Sequence, residues 1–305
     1  DWAPLAAMGK LVIHERSAPE KVAARIADAT IVFTNKAKVS AAAIAGARHL
    51  RLISVLATGY DIVDVAAAKA AGVTVSNVPG YGPASVAQAT WALILELCHH
   101  AGAHDVAIRA GRWQASRSFC FWESPLVELS GKTLTIVGLG AIGRRVARIA
   151  EAFGMTVIGA ALPGRTRPAS QAASPWPRLP LREALGRADV LSFHCPLTPE
   201  TRQLLNAERL TWLKPSALVV NSGRGAVVDE AALAAALHAG HLAGYAADVL
   251  SVEPPPADHP LLHTPRTILT PHFAWATFEA RQRLLAMSVD NLRLFLAGTP
   301  QHVVS

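Results

Sequence analysis

Residues 133–153 read TLTIVGLGAIGRRVARIAEAF, and this stretch restricts the fold more than any other. The β-branched residues Thr133, Thr135, Ile136 and Val137 run directly into Gly138, Gly140 and Gly143. Ile142, Val146, Ile149 and Phe153 then recur near the helical period. The pattern predicts a strand, a tight turn and a helix. At Gly138 the chain bends sharply. At Gly140 the missing Cβ lets a pyrophosphate approach the backbone, and at Gly143 helix and strand pack closely. The amides and positive dipole end of the helix would face the phosphates. A glycine-rich turn with no ligand is the alternative, and the correct strand and helix flanks argue against it.

The rest of the chain repeats the alternation. Short buried strands are expected at Ile31–Thr34, Leu52–Leu56 and Val73–Ser76, with a first strand at Lys10–His14. Helices are expected over 19–29, 40–45 and 64–71. Asp1 is not an initiator and the first strand comes early, so a preceding strand is expected outside this sequence. The breaker cluster at 77–83 closes this unit. One long, mostly apolar helix is expected from Ala84 to Ala110, buried between domains or subunits, followed by an irregular aromatic segment at 117–129, either a dimer arm or a loop over a cleft. Six strands should follow (133–137, 156–160, 190–194, 218–221, 244–249, 267–270), with helices at 181–188, 206–213, 230–239 and 278–297. Residues 165–180, rich in Pro and Arg, should be loop. Alternating strands and helices imply an α/β fold with parallel sheets. We expect two doubly wound domains. A Rossmann dinucleotide-binding domain (89–278) is inserted into a smaller, flavodoxin-like substrate domain (1–88 plus 279–305).

Composition narrows the function classes. The 305-residue chain is 51% hydrophobic, without an apolar run near the roughly 20 residues of a membrane span. The net charge is +7, but the basic residues are dispersed and lack interleaved aromatics. A basic surface without a partner would account for that, as would attraction of small anions; no nucleic-acid partner is expected. Cys98, Cys120 and Cys195 form no CxxC pair and read as reduced thiols of a cytoplasmic protein. Cys98, His99 and His100 would point in different directions from one helix, so no metal site is expected.

Three residues fall just beyond strand ends. Arg224 follows LVVNSGRG, Glu253 lies in DVLSVEPPP, and His272 ends TILTPH. In a parallel sheet the ligand crevice lies outside these carboxyl ends. Arg224 offers a permanent cation with a planar fork for a carboxylate and its adjacent carbonyl. His272 can protonate a carbonyl oxygen as hydride reaches carbon. Glu253, bonded to the far ring nitrogen, would fix the tautomer and favour the imidazolium. Each residue alone would equally suit a surface ion pair, a turn or a helix cap.

The stretches GLGAIGRRVARIAEAFGM, FHCPLTPETRQLLN, VVNSGRGAVVDEAAL, AADVLSVEPP and TPHFAWATFEAR resemble successive motifs of the D-isomer-specific 2-hydroxyacid dehydrogenases. The resemblance runs from about Ile31 to the C-terminus. The forms ATGYDIVD, NVPGYGPASVAQ, FCFWESPLVEL and PHFAWAT are most similar to the glycerate dehydrogenase (hydroxypyruvate reductase) branch. It implies Arg224, Glu253 and His272 as the catalytic set. It implies substrate contacts from Ala57, Thr58 and Gly59, the last two through backbone amides, and from Tyr81 and Trp275 in a cleft between the domains, beside Tyr60. Trp275 would either fill space to favour a short acid or merely pack. Beyond Gly138, Gly140 and Gly143, the implied cofactor-binding residues are Ala141, Ile142, His194, Pro196, Thr201, Asn221, Ser222, Gly223, Asp248, His272 and Ala274. A homodimer through the long helix and arm is also implied.

An NAD-preferring unit usually carries an acid about 20 residues past the glycines. Here residues 159–167 read GAALPGRTR. Without the acid, Arg165 and Thr166 are expected to hold a 2′-phosphate, making NADP(H) preferred and NAD(H) usable; a solvated loop with lax selectivity is the alternative. The expected activity is reduction of a small 2-keto acid, such as hydroxypyruvate or glyoxylate, to the D-2-hydroxy acid. The rival reading is an NAD(P)-sensing, corepressor-like binding protein without significant turnover. A dehydrogenase of an inorganic anion such as phosphite ranks lower, because Ala57 and Thr58 add no cation.

Overall fold

A computed structural model of the chain describes residues 2–162 and 174–305. The chain divides into two compact units: Asp1–Gly82 with Ala276–Ser305, and Pro83–Trp275.

The first unit holds a parallel sheet of β1 (Ile31–Thr34), β2 (Leu52–Val55) and β3 (Thr74–Ser76), in that order. Helix Pro19–Ile26 precedes β1, and helices Ala41–Gly46 and Val65–Ala70, capped by the Ser40 and Asp64 side chains, lie between the strands. Val22, Ile44, Ile53, Val55 and Val75 share one core. Leu52 instead packs with Val289 and Leu292 of the returning helix Phe278–Leu296. Apolar surface is thereby buried on both faces of β2. The strand expected at Lys10–His14 is absent. Its segment pairs with none of the three strands, and Val12 and Ile13 stand 62% and 55% exposed. β-propensity makes a strand only where a ladder partner is offered.

The second unit is a seven-stranded parallel sheet. Its strands are β4 (Thr133–Val137), β5 (Thr156–Ala160), β6 (Arg178–Leu179), β7 (Val190–Phe193), β8 (Leu218–Asn221), β9 (Gly244–Ala247) and β10 (Thr267–Leu269). The order is β10-β9-β8-β7-β4-β5-β6. This is one strand more than the sequence predicted. β6 lies inside the segment read as loop and pairs with the last two residues of β5. The order reverses between β4 and β7, the switch point where open α/β sheets bind ligands.

The long helix is also corrected. It is two helices, Pro83–His99 and Ala101–Arg109, with His100 between them in the left-handed region at φ 50°. The Cys98 carbonyl there accepts from Val127 N–H, a bond outside the helix ladder. The first helix buries Trp91, Ile94 and Leu97, whereas the second has no buried residue. Among the described residues, no helix is long and apolar enough to cross a membrane.

β7 is the middle strand, and Leu191 on it has no exposed surface. Leu191→Ala should therefore cost about 2–5 kcal/mol, read from the urea unfolding midpoint; a loss below about 1 kcal/mol would place the core elsewhere.

Candidate active site

The site grows from the ends of adjacent strands. β4 ends in the glycine bend. Gly138 has φ +102°, and a Cβ on it would lie 2.6 Å from the Cys195 amide nitrogen. A Cβ on Gly143 would lie 2.2 Å from the Gly138 carbonyl oxygen, so the helix Ala141–Ala152 presses on the turn. At Gly140 a Cβ would meet nothing within 4 Å, and no side chain caps this helix. An open bend with free N-terminal amides fits a pyrophosphate. Ala141 beside it is exposed and Ile142 half-buried.

Across the switch point, His194 follows β7. Its ring nitrogens face the Ser192 hydroxyl at 2.8 Å and the Ser222 hydroxyl at 3.4 Å. Ser222 in turn meets Thr90 at 2.8 Å. Desolvation pushes the partly buried His194 down to a pKa of about 3, so it is neutral near pH 7. Thr201 is buried, and its hydroxyl donates to the Pro196 carbonyl while accepting from Thr198 N–H, which closes the 196–201 loop.

β8 ends at the fully buried Asn221, whose amide spans the next turn. Nδ2 donates to the Arg224 carbonyl at 3.0 Å, and Oδ1 accepts from Gly223 N–H at 3.0 Å. Arg224 is exposed. Gly225 lies against the next strand's loop so closely that a Cβ would come within 1.9 Å of the Leu250 carbonyl carbon. That contact joins the Arg224 turn to the segment bearing Glu253.

β9 runs into Asp248, a carboxylate only 2% exposed. It accepts from Thr270 Oγ1 at 2.6 Å, Phe273 N–H at 3.0 Å and Ala274 N–H at 2.9 Å. Burial still raises its pKa, outweighing these bonds and the neighbouring His272. The three bonds hold the chain after β10, where His272 adopts φ 53°. Non-glycine residues rarely enter this region without such support. His272 Nδ1 lies 2.6 Å from Glu253 Oε2, and Glu253 Oε1 accepts from Leu250 N–H at 3.0 Å. The His272 and Glu253 side chains are 28% and 34% exposed, so the pair is open to a ligand. Because the carboxylate accepts at Nδ1, Nε2 is the ring nitrogen that Glu253 does not engage.

The structure thus gathers Arg224, Glu253, His272 and Asp248 at one end of one sheet. Ala274 is buried, with its carbonyl accepting from Ser85 Oγ, and Trp275 is half-buried. In the first unit, Ala57 and Gly59 are half-buried and Thr58 exposed past the end of β2. Asn77 Nδ2 donates to the Thr58 carbonyl at 2.8 Å. Tyr81 is buried, and Tyr60 is 41% exposed. Arg165 and Thr166 lie outside the described residues. Sequence reasoning missed Glu230, Ser251, His259 and Thr270. An acid opening a helix reads only as a dipole partner, and no spacing signals a tertiary clamp.

A family model described as D-isomer specific 2-hydroxyacid dehydrogenase, NAD binding domain, matches residues 91–274. A hydroxypyruvate reductase of Blautia hydrogenotrophica is 41% identical over 308 residues, spanning 100% of this chain and 95% of the relative. The chain belongs to the D-isomer-specific 2-hydroxyacid dehydrogenase family. A glycerate dehydrogenase of Methylorubrum extorquens is 38% identical over 291 residues, spanning 94% of this chain and 88% of the relative. An NADPH-dependent glyoxylate/hydroxypyruvate reductase of Sinorhizobium meliloti, solved with NADP and malonate, superposes with a TM-score of 0.85 at 32% identity. That match covers 99% of this dehydrogenase and 92% of the relative. The motif resemblance and the α/β fold with parallel sheets agree with these matches. The dehydrogenase is an NAD(P)-dependent oxidoreductase acting on CH–OH donors, and the binding-protein alternative is not favoured.

His194 gives this site a pH signature. Its folded-state pKa of about 3 lies below the ordinary 6.5, so the unfolded chain takes up the proton first. Its contribution to stability is complete above about pH 6.5 and is lost as pH falls toward 3. His194→Gln should therefore lose less stability than the wild type between pH 7 and pH 4, measured by urea midpoints. Equal losses would contradict a neutral, desolvated imidazole.

Proposed function

We propose that this dehydrogenase reduces small 2-keto acids of the hydroxypyruvate and glyoxylate type to D-2-hydroxy acids. NADP(H) is the preferred cofactor and NAD(H) a usable second. The carrying observation is the 2.6 Å Glu253–His272 pair, set at the sheet end that bears Arg224 and the glycine bend.

The open bend at Gly138, Gly140 and Gly143 suits a dinucleotide pyrophosphate, with Ala141 and Ile142 on the helix above it. His194, Pro196, Thr201, Asn221, Ser222, Gly223, Asp248, His272 and Ala274 line its further course in this reading. The reduced nicotinamide, when bound, supplies the hydride. Arg224 binds the substrate carboxylate and polarises its carbonyl with a planar, permanently charged fork. In this reading Ala57 contacts the substrate, and Thr58 and Gly59 offer backbone amides to its carboxylate. His272 Nε2 delivers a proton to the carbonyl oxygen and recovers it in the reverse direction. Glu253 holds the ring orientation and fixes the tautomer through Nδ1. Asp248, its carboxylate held by Thr270 Oγ1 and the Phe273 and Ala274 amides, fixes the segment that carries His272.

The NADP(H) preference rests on the missing acid after β5, on Arg165 and Thr166, and on the Sinorhizobium relative solved with NADP. A cytoplasmic homodimer completes the proposal. An arm with Phe119 at 88% and Trp122 at 62% exposure supports the dimer, as does a hollow lined by Trp91, Leu95 and Ile149.

A matrix of initial rates over hydroxypyruvate, glyoxylate, pyruvate and bulkier 2-keto acids, each with NADPH and NADH, tests the reading. The highest kcat/KM is expected for the two- and three-carbon acids with NADPH. A clear NADH preference would overturn the cofactor assignment, and turnover confined to bulky acids would overturn the substrate assignment.

A further inference from the structure

Glu230 is the first residue of the helix Glu230–His238 and is 8% exposed. A solvent-facing acid would serve the helix dipole equally well; this one is turned inward. Its Oε1 accepts from Ser251 N–H at 2.8 Å, and its Oε2 accepts from the Ser251 hydroxyl. His259 Nε2 lies 3.1 Å from the same Oε2 and is 6% exposed. Leu261 N–H donates to His259 Nδ1 at 3.3 Å, so the ring proton sits on Nε2 and points at Glu230. A carboxylate out of water is tolerated only with its acceptor sites filled, and three donors fill them here.

All three donors come from the two ends of one loop. Ser251 is two residues before Glu253, and His259 is six residues after it. Between the clamped ends, Glu253 reaches back to Leu250 N–H and outward to His272. Leu250 and Ser251 also carry the backbone against which Gly225 packs. We propose that Glu230 is a positioning residue for catalysis, fixing the Leu250–His259 loop so that the Glu253 carboxylate meets His272. Glu230 touches neither substrate nor dinucleotide in this account; it acts through Ser251 and His259 on Glu253. The inference rests on the proposed roles of Glu253 and His272.

The test is a double-mutant cycle on keto-acid reduction by the full chain. Glu230→Gln keeps the size and removes the charge. Its kcat should fall about 10- to 100-fold, the cost of a small misplacement of a reacting group. Both KM values and the dinucleotide Kd should stay within about threefold. In a Glu253→Gln background the same substitution should change kcat by less than about twofold. Equal fold-losses in the two backgrounds, or an unchanged kcat in Glu230→Gln, would overturn the proposal. Should Glu230→Gln not fold, Ser251→Ala enters the same cycle, with an expected loss of about 3- to 10-fold and the same dependence on Glu253. A Glu253→Gln enzyme with wild-type kcat would sink the catalytic reading and this inference together. A crippled Glu253→Gln enzyme combined with an additive Glu230 effect would sink the inference alone.

Discussion

The second unit is organised around one carboxylate removed from water. Asp248 ends β9 and gathers three donors from the chain that follows β10. Leaving such a group unpaired in the interior would cost several kcal/mol, about 3–5 by comparison with broken buried pairs. The segment 270–274 therefore closes over it. That closure holds His272 at φ 53° and turns its ring toward Glu253. The catalytic histidine of the proposed reaction is thus placed by backbone bonds to a neighbouring strand rather than by its own side-chain packing.

The same economy runs along the sheet edge. Asn221 folds the Arg224 turn, Gly225 packs that turn onto Leu250 and Ser251, and Glu230 and His259 pin the rest of that loop. The Gly225 and Glu230 contacts tie the segment after β8 to the loop after β9, and the parallel register of β8, β9 and β10 brings their carboxyl ends level. On the same side of the switch point, just past β7, the chemistry is kept neutral. His194 sits between two serine hydroxyls and holds no proton to spare near pH 7. In the proposed reaction, proton exchange falls to His272, which has a carboxylate behind it and solvent before it.

Much of this was legible in the residues alone. The glycine bend, nearly all the strands and the residues just past strand ends are local patterns, and short-range sterics and periodicity decide them. What escaped the sequence was decided by tertiary contact. Lys10–His14 has strand composition but no ladder to join. The apolar run through 84–110 reads as one helix, yet His100 breaks it where the Cys98 carbonyl finds a partner in Val127. β6 is two residues long and exists only because β5 presents an open edge. The clamps at Asp248 and Glu230 join residues 21 to 29 positions apart, a separation that leaves no periodic trace.

The central claim is that His272 moves the proton while the remainder of the site binds. Single-turnover reduction of a small 2-keto acid by His272→Ala, started from the preformed complex with reduced dinucleotide, tests it without interference from product release. The rate of dinucleotide oxidation should fall about 10²- to 10⁴-fold, with dinucleotide affinity by fluorescence titration within about threefold of wild type. A single-turnover rate close to wild type would contradict the account.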